Sequence, residues 1–241
     1  MSTLFIADLH LDATRPHITE LFERYLTGDE ARQADALYIL GDLVEAWIGD
    51  DDDAELPRRI AQATRTLSDS GVPVYFMVGN RDFLLGEDFA RRAGLRLLDD
   101  GTVHDLYGRP TLLMHGDVLC TDDLAYQTVR KQVRTAEWKA NILAMPLEAR
   151  RAFAAKARED SRAHTGSTME TIMDVNADAV AGTMRVAGVD RLIHGHTHRP
   201  AIHRFALDGR PAERIVLGDW YEHGSVLRVD RNVSELRGLD A

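Results

Sequence analysis

Five apolar stretches of the chain run directly into polar residues: TLFIADLH (3–10), ALYILGD (36–42), VYFMVGN (74–80), TLLMHGD (111–117) and RLIHGHTH (191–198). Short continuous apolar runs stopped by Gly, Asn or Asp predict strands buried on both faces. Helical patterns near 16–27, 54–69 and 86–93 lie between the first of them, so the front half reads βαβαβ. After residue 199 the segments shorten to AIHRFAL, a turn at DGRP, ERIVLGDW and GSVLRV. Asp-Gly and Gly turn signals between short strands predict an antiparallel set in a second sheet packed on the first. The class is α/β, with helices outside the two sheets.

Residues 121–188 break this pattern, being poor in strand signals and rich in Ala, Arg, Glu and Met, with Pro146 ahead of LEARRAFAAKARED. Several helices inserted between two strands are expected there, within a single domain spanning 1–241. Met169, Ile172, Met173, Val175, Val180 and Met184 recur at mainly helical spacing. Such a stripe either faces a core or lines a ligand groove.

Composition narrows the class. The chain is 44% hydrophobic and 28% charged, ordinary for a globular protein, and no apolar run approaches the roughly 20 residues of a membrane span. MSTLFIADLHLD lacks the basic and long apolar regions of a secretion signal, and the single cysteine, Cys120, forms no internal disulfide, so the cytoplasm is the expected compartment. Cys120 itself reads as a small packing residue. A net charge of -10 argues against a broad nucleic-acid surface, although cations could still supply a local positive field for a phosphate. The acidic run Asp50–Asp53 reads as a solvated loop.

Each of the five strand ends carries a metal donor: Asp8 and His10, Asp42, Asn80, His115, and then His194, His196 and His198 at alternate positions. Taken singly, each is an ordinary turn or packing residue. Alternate spacing on extended backbone would aim Asp8 with His10, and the three late histidines together, without selecting among the three. If the five strands end side by side in one open sheet, a shared metal centre accounts for every ending. The inventory of imidazole, carboxylate and amide oxygen suits two ions about 3.5 to 4 Å apart with Asp42 between them, an arrangement suited to phosphoester cleavage.

In this order, Asp-x-His, Gly-Asp, Gly-Asn, His-Gly and Gly-His-x-His resemble the calcineurin-like metallophosphoesterase superfamily across residues 8–198. The resemblance implies an αββα sandwich of two mixed sheets, with Asp8, His10, Asp42 and His198 at one metal and Asp42, Asn80, His115 and His196 at the other. His194 is then left over as a packing or orienting residue. Many members carry histidine after Gly-Asn where this chain has Arg81, which donates no proton near neutral pH but grips phosphate in a bidentate way.

FIADLHL, GDLVEAWIGDD, VGNRDFLLG, LMHGDVLCTDD, YQTVRK, IMDVN, LIHGHTHRP and VLGDWYEHGS further resemble the UDP-2,3-diacylglucosamine hydrolase family of lipid A biosynthesis. The resemblance implies hydrolysis of the substrate's pyrophosphate with two Mn2+ ions. Its catalytic residues would be Asp42, Asn80, Arg81, His115 and His196, and its substrate residues Asn80, Arg81, Asp123, Ser161, Thr165, Thr168 and His196. Position 168 often holds Lys in that family, and Thr168 brings a hydrogen bond without the charge. The insert is expected to act as a lid, with Trp47, Phe83, Leu84, Met169 and Ile172 sheltering acyl chains. The implied location is peripheral, on the cytoplasmic face of the inner membrane. Arg130, Lys131, Arg134, Lys139, Arg150 and Arg151 either meet lipid headgroups there or form an ordinary solvated face. No protein partner is evident. The rival readings are a phosphodiesterase of another substrate, such as a nucleotide, and a non-catalytic scaffold, which would have no need of a complete donor set.

Overall fold

A computed structural model describes residues 1–167 and 174–239, with 162–167 described by their backbone alone. Two mixed sheets lie face to face between layers of helix. The first contains β1 (Thr3–Ile6), β2 (Ala36–Leu40), β3 (Val74–Met77), β4 (Leu95–Leu98), β10 (Gly224–Val229) and β11 (Ser234–Leu239), in the order β11-β10-β1-β2-β3-β4. The second contains β5 (Thr102–Leu106), β6 (Arg109–Met114), β7 (Arg191–His194), β8 (Ala201–Leu207) and β9 (Arg210–Val216), in the order β5-β6-β7-β9-β8.

Strand alternation builds the layers. In β1, Leu4 and Ile6 face outward into the cluster shared with α1 (Pro16–Thr27), α2 (Asp29–Arg32), α3 (Glu55–Asp69) and α4 (Glu87–Ala93), whereas Phe5 faces the other sheet. Phe5, Leu40 and Met77 of the first sheet meet Leu113, Ile193 and Ile215 of the second in a fully buried seam. Outside the second sheet, Val180 and Met184 of α8 (Ala177–Ala187) cover Leu112, Met114 and Leu192. Removing an apolar side chain of this size from water contributes about 1.5–3 kcal/mol, so this frame holds its shape firmly. The described part of the methionine-rich stripe, Val175, Val180 and Met184, thus packs on a core. Met169, Ile172 and Met173 lie outside the described residues.

Two expectations change. The five donor-bearing strands do not share one sheet: β1, β2 and β3 belong to the first, and β6 and β7 to the second. The late antiparallel set also divides, β8 and β9 extending the second sheet while β10 returns beside β1, with Thr3 opposite Val229. The reason is burial. Val226 joins the outer apolar cluster while Leu227 and Val229 join the seam, so β10 needs cover on both faces, whereas β8 is exposed enough to form an edge. The DGRP turn carries Asp208 (φ 51°) and Gly209 (φ 77°) in the left-handed region, as a tight hairpin requires.

Between β6 and β7, α5 (Leu124–Val133), α6 (Ala136–Leu143) and α7 (Leu147–Ser167) overhang the ends of the strands. Among the described residues no helix is long and apolar enough to cross a membrane.

Candidate functional site

Four of the five strands stop two to four residues before their donors, while His115 follows β6 directly, so most of the donors are not presented by extended backbone. Instead Asp8, His10, Asp42, His196 and His198 have φ of 55°, 47°, 52°, 69° and 54°. They are five of the seven non-glycine residues with positive φ among the described residues. Left-handed backbone is unfavourable for residues with a Cβ and persists where surrounding contacts enforce it, so its concentration here marks a constrained site. The enforcing contacts are visible: Asp8 N donates to Gly41 O at 3.0 Å, His10 N to Asp42 O at 2.9 Å, and His196 N to Asp8 Oδ2 at 2.8 Å.

Alternation therefore fails for the histidine triplet. His194 ends β7 facing the outer layer beside Leu192, with Nδ1 2.8 Å from Gly195 O and Nε2 3.4 Å from Arg214. Burial and the neighbouring Arg214 push its pKa down to about 3, so it is a neutral packing residue. His196 and His198 turn the other way, onto the site.

The side chains gather into two clusters, Asp8 with His10 and His198, and Asp42 with His115 and His196, the donor atoms within each lying within 4.8 Å of one another. His10 Nε2 is 3.2 Å from His198 Nε2, and His198 Nε2 is 3.4 Å from Asp8 Oδ1. Asn80 Oδ1 sits 2.9 Å from His115 Nε2 and 2.8 Å from His196 Nδ1. Asp42 spans both clusters, Oδ2 lying 3.8 Å from His10 Nε2 and Oδ1 3.7 Å from His115 Nε2.

Glycine makes this crowding feasible. A Cβ at Gly79 would overlap the Asp42 carboxylate, and one at Gly41 would come within 2.5 Å of His115 Nδ1. The far nitrogens of the histidines are committed, His115 Nδ1 to Leu40 O at 2.9 Å and His10 Nδ1 to Glu45 Oε2 at 3.1 Å, which fixes each ring. Burial opposes ionisation of Asp8, yet the adjacent His198 holds its pKa at about 2. Burial likewise works against protonating His115, but Asp42, Asp117 and Asp8 push it up to about 9, while burial and His115 push His196 down to about 4.

The donors suit metal ions. Asp8 Oδ1 is buried without a hydrogen-bond partner, a costly state that a cation held between it and the converging His10 and His198 nitrogens would resolve. The clusters are accordingly two candidate metal-binding sites.

A cavity of about 490 Å³ adjoins the clusters at Asn80 and Arg81. Trp47, Phe83 and Leu84 of the sandwich and Val129, Trp138 and Phe153 of the insert line its apolar part. Arg81 Nη2 donates to Ser161 Oγ at 3.2 Å, while its Nε is buried without a partner. Asp123 caps α5 through Tyr126 N at 2.9 Å and is not among the residues lining the cavity. Thr165 lies on α7, described there by backbone alone, and Thr168 lies outside the described residues.

Several supporting residues were not anticipated. Asp82, fully buried, accepts from Gly79 N at 2.6 Å and Leu43 N at 2.7 Å, tying the exits of β2 and β3 together. Asp117, also fully buried, accepts from Tyr126 Oη and Arg130 Nε, both at 2.7 Å. Arg158 lines the cavity and bonds Asp12 at 2.9 Å. Asp82 and Asp117 stand within the same GNRD and HGD motifs as the donors, and that proximity was the available signal. Two surface readings change as well. Asp50 accepts from Trp47 Nε1, Gly86 N and Phe89 N, and Asp51, Asp52 and Asp53 pair with Arg150 and Arg151, so the acidic run docks the insert as well as meeting water at Asp51 and Asp53. Because Arg130, Arg134, Arg150 and Arg151 spend their charges on Asp117 and this loop, little of the expected basic patch is free.

The sequence matches the family model described as calcineurin-like phosphoesterase over residues 1–200. It is 60% identical to a UDP-2,3-diacylglucosamine hydrolase from Stenotrophomonas maltophilia, over 95% of each chain. Proteins of the same name from Xanthomonas axonopodis and Cellvibrio japonicus are 56% identical over 99% of each chain and 53% identical over the whole of each. In structure it is similar to a dimetal phosphatase from Danio rerio, with a TM-score of 0.52 at 11% identity, covering 99% of this chain and 95% of that one, a likeness of fold alone.

Proposed function

Since the chain belongs to the calcineurin-like phosphoesterase family, we propose that it hydrolyses the pyrophosphate bond of UDP-2,3-diacylglucosamine, giving UMP and 2,3-diacylglucosamine 1-phosphate in lipid A biosynthesis. The observation that carries this reading is one cavity with two chemistries. Its polar end adjoins one donor cluster through Asn80 and Arg81 and the other through Glu45, which bonds His10, and the rest is walled by Trp47, Phe83, Leu84, Val129, Trp138 and Phe153. A nucleotide diphosphate joined to acyl chains has the same division, and a plain nucleotide diester has no use for the apolar part.

Asp8, His10, Asp42 and His198 would hold one ion and Asp42, Asn80, His115 and His196 the other, both Mn2+. When bound, such a pair neutralises charge on the phosphoryl oxygens and lowers the pKa of water. Water attacks the α-phosphorus in line. Arg81, anchored by Ser161 and with Nε free, grips the diphosphate and offsets charge that grows on it in the transition state. Glu45 and the Leu40 carbonyl keep the His10 and His115 rings from turning. His196 stays neutral and able to bond the substrate. Asp123, Thr165 and Thr168 complete the substrate set of this reading.

The chain acts as one domain over 1–241, with the lid of its 121–188 insert formed by α5 to α7. Its substrate lives in a bilayer, so the enzyme works peripherally at the cytoplasmic face of the inner membrane. Leu124 and Val129, exposed near the cavity mouth, are its points of approach.

The decisive assay offers the Mn2+-loaded protein UDP-2,3-diacylglucosamine beside UDP-glucose and bis(p-nitrophenyl) phosphate. UMP release is expected from the acylated substrate far above the others. Release only from the non-acylated ones would sink the lipid reading.

A further inference from the structure

Between residues 124 and 161, which make up α5, α6 and the described side chains of α7, only Arg150 is buried. A helix wall is ordinarily held by an apolar stripe, and the described side chains of α7 seat none in the sandwich. Arg150 is instead only 4% exposed and its guanidinium is almost fully committed. Nε donates to Met145 O at 3.0 Å, Nη1 to Ile48 O at 2.6 Å and to Asp51 Oδ1 at 2.7 Å, and Nη2 to Asp51 Oδ2. The receiving loop is shaped for it. Gly49, at φ 135°, leaves a gap that a Cβ would close by overlapping Arg150 Nη1 and Asp51 Oδ1. Asp50, next in sequence, is locked by Gly86 N and Phe89 N, so the loop is a rigid receptor.

The other wall is fastened differently. Tyr126 and Arg130 of α5 and Arg134 at its C-terminal end converge on Asp117, and Gln127 donates to the carbonyls of Asp117 and Cys120. The Asp117 side chain is 0% exposed, whereas the carboxylates that hold α7 all reach water. Asp51 is 64% exposed, Asp53, Asp52 and Asp12, which pair with Arg151 and Arg158, are 80%, 16% and 19% exposed, and Asp51 alone takes the buried Arg150. An ion pair whose carboxylate faces water is screened and exchanges readily; one sealed from water does not.

From this asymmetry we infer that Arg150 is a positioning residue, a pin seated on Asp51 that holds α7 over the cavity. The chain admits its substrate by releasing that pin while α5 stays in place. Arg150 touches no reacting atom. It acts by placing Phe153, one turn along α7, against the substrate's apolar part. The role as a specificity element rests on the activity proposed above.

The test uses full-length protein with spin labels, in a Cys120→Ser background. One pair, Glu20→Cys with Ala155→Cys, reports α7 against the sandwich, and a second, Glu20→Cys with Lys131→Cys, reports α5. Asp51→Ala, at an exposed position, should broaden the first distance distribution and leave the second single and narrow. In the unlabelled enzyme the same change should raise KM for the acylated substrate about tenfold, with kcat and bis(p-nitrophenyl) phosphate hydrolysis within about twofold of the parent. Asp51→Glu should restore both readouts, and Asp53→Asn should alter neither. An α7 distance that stays narrow, an α5 distance that broadens with it, or an unchanged KM beside a broadened α7 distance each overturns the inference. If the parent enzyme fails to cleave acylated UDP-sugar, the proposed activity falls, while the distance measurements still judge the pin.

Discussion

The sandwich and the inserted helices both hold residues over one cavity, by opposite physical means. In the sandwich, large apolar side chains are fully buried on three successive interfaces, and the donors hang from strand exits forced into left-handed backbone. In the insert, α5 and α6 bury nothing, and attachment runs through arginines seated on carboxylates. A frame that must fix donors to a fraction of an ångström needs close packing, which resists displacement. A cover that must part to admit a substrate with acyl chains is better served by a few polar contacts that exchange with water.

The widest separation between the two regions should appear at the donors. Asp42→Ala removes the one carboxylate that spans both clusters, and we expect turnover to fall at least about a thousandfold. Elemental analysis should find bound metal lost along with it. Full activity in Asp42→Ala would remove the bridging role. His194→Gln, by contrast, alters the outer face of β7 and should cost under about tenfold in kcat, well below the loss in His196→Ala or His198→Ala. Assays of the three side by side check the ranking.

Stability should divide along the same line. Met184→Ala empties a fully buried position against the second sheet and should cost about 2–5 kcal/mol in urea unfolding. Trp138→Ala removes a larger side chain from α6, where its ring lies 5.7 Å from Phe83 and 6.0 Å from Phe153 across the cavity. There the midpoint should move little while KM for the acylated substrate rises. Equal destabilisation by both changes would mean that the insert shares the core of the sandwich.

What the sequence disclosed follows this division. Strands buried on both faces announce themselves as apolar runs, so β1, β2, β3, β6 and β7 were legible, as were the donors that follow them. β4, β5 and β11 were missed because LRLL, TVHDL and SELRGL are short edge or near-edge segments with weaker patterns. The partition of strands between sheets depends on which faces find cover, a long-range matter that periodicity does not carry. Alternation misjudged how the histidines are aimed, because left-handed φ at His196 and His198 is imposed by contacts with Asp8 and the neighbouring strand exits. The polar pins of the insert were hidden for a similar reason. Asp51 and Arg150 stand 99 positions apart, and each alone reads as a solvated charge.

The smallest effect expected concerns the seam between the sheets, where His104 of β5 lies with Nδ1 3.1 Å from Tyr38 Oη of β2. Burial holds the pKa of His104 below its ordinary value of 6.5. The folded chain therefore binds fewer protons than the unfolded one in the interval between that lowered value and about 6.5. Stability from this residue is present in full above about 6.5 and declines as pH falls through the interval. The imidazole is partly open to water, which screens the effect, so the shift in Tm between pH 7.5 and 5.5 should be only ~1 °C. His104→Gln should flatten that part of the Tm profile while leaving the salt dependence of α7 untouched, since the pin at Asp51 belongs to the other region. A pH slope unchanged in His104→Gln would place the titrating group elsewhere in the sandwich.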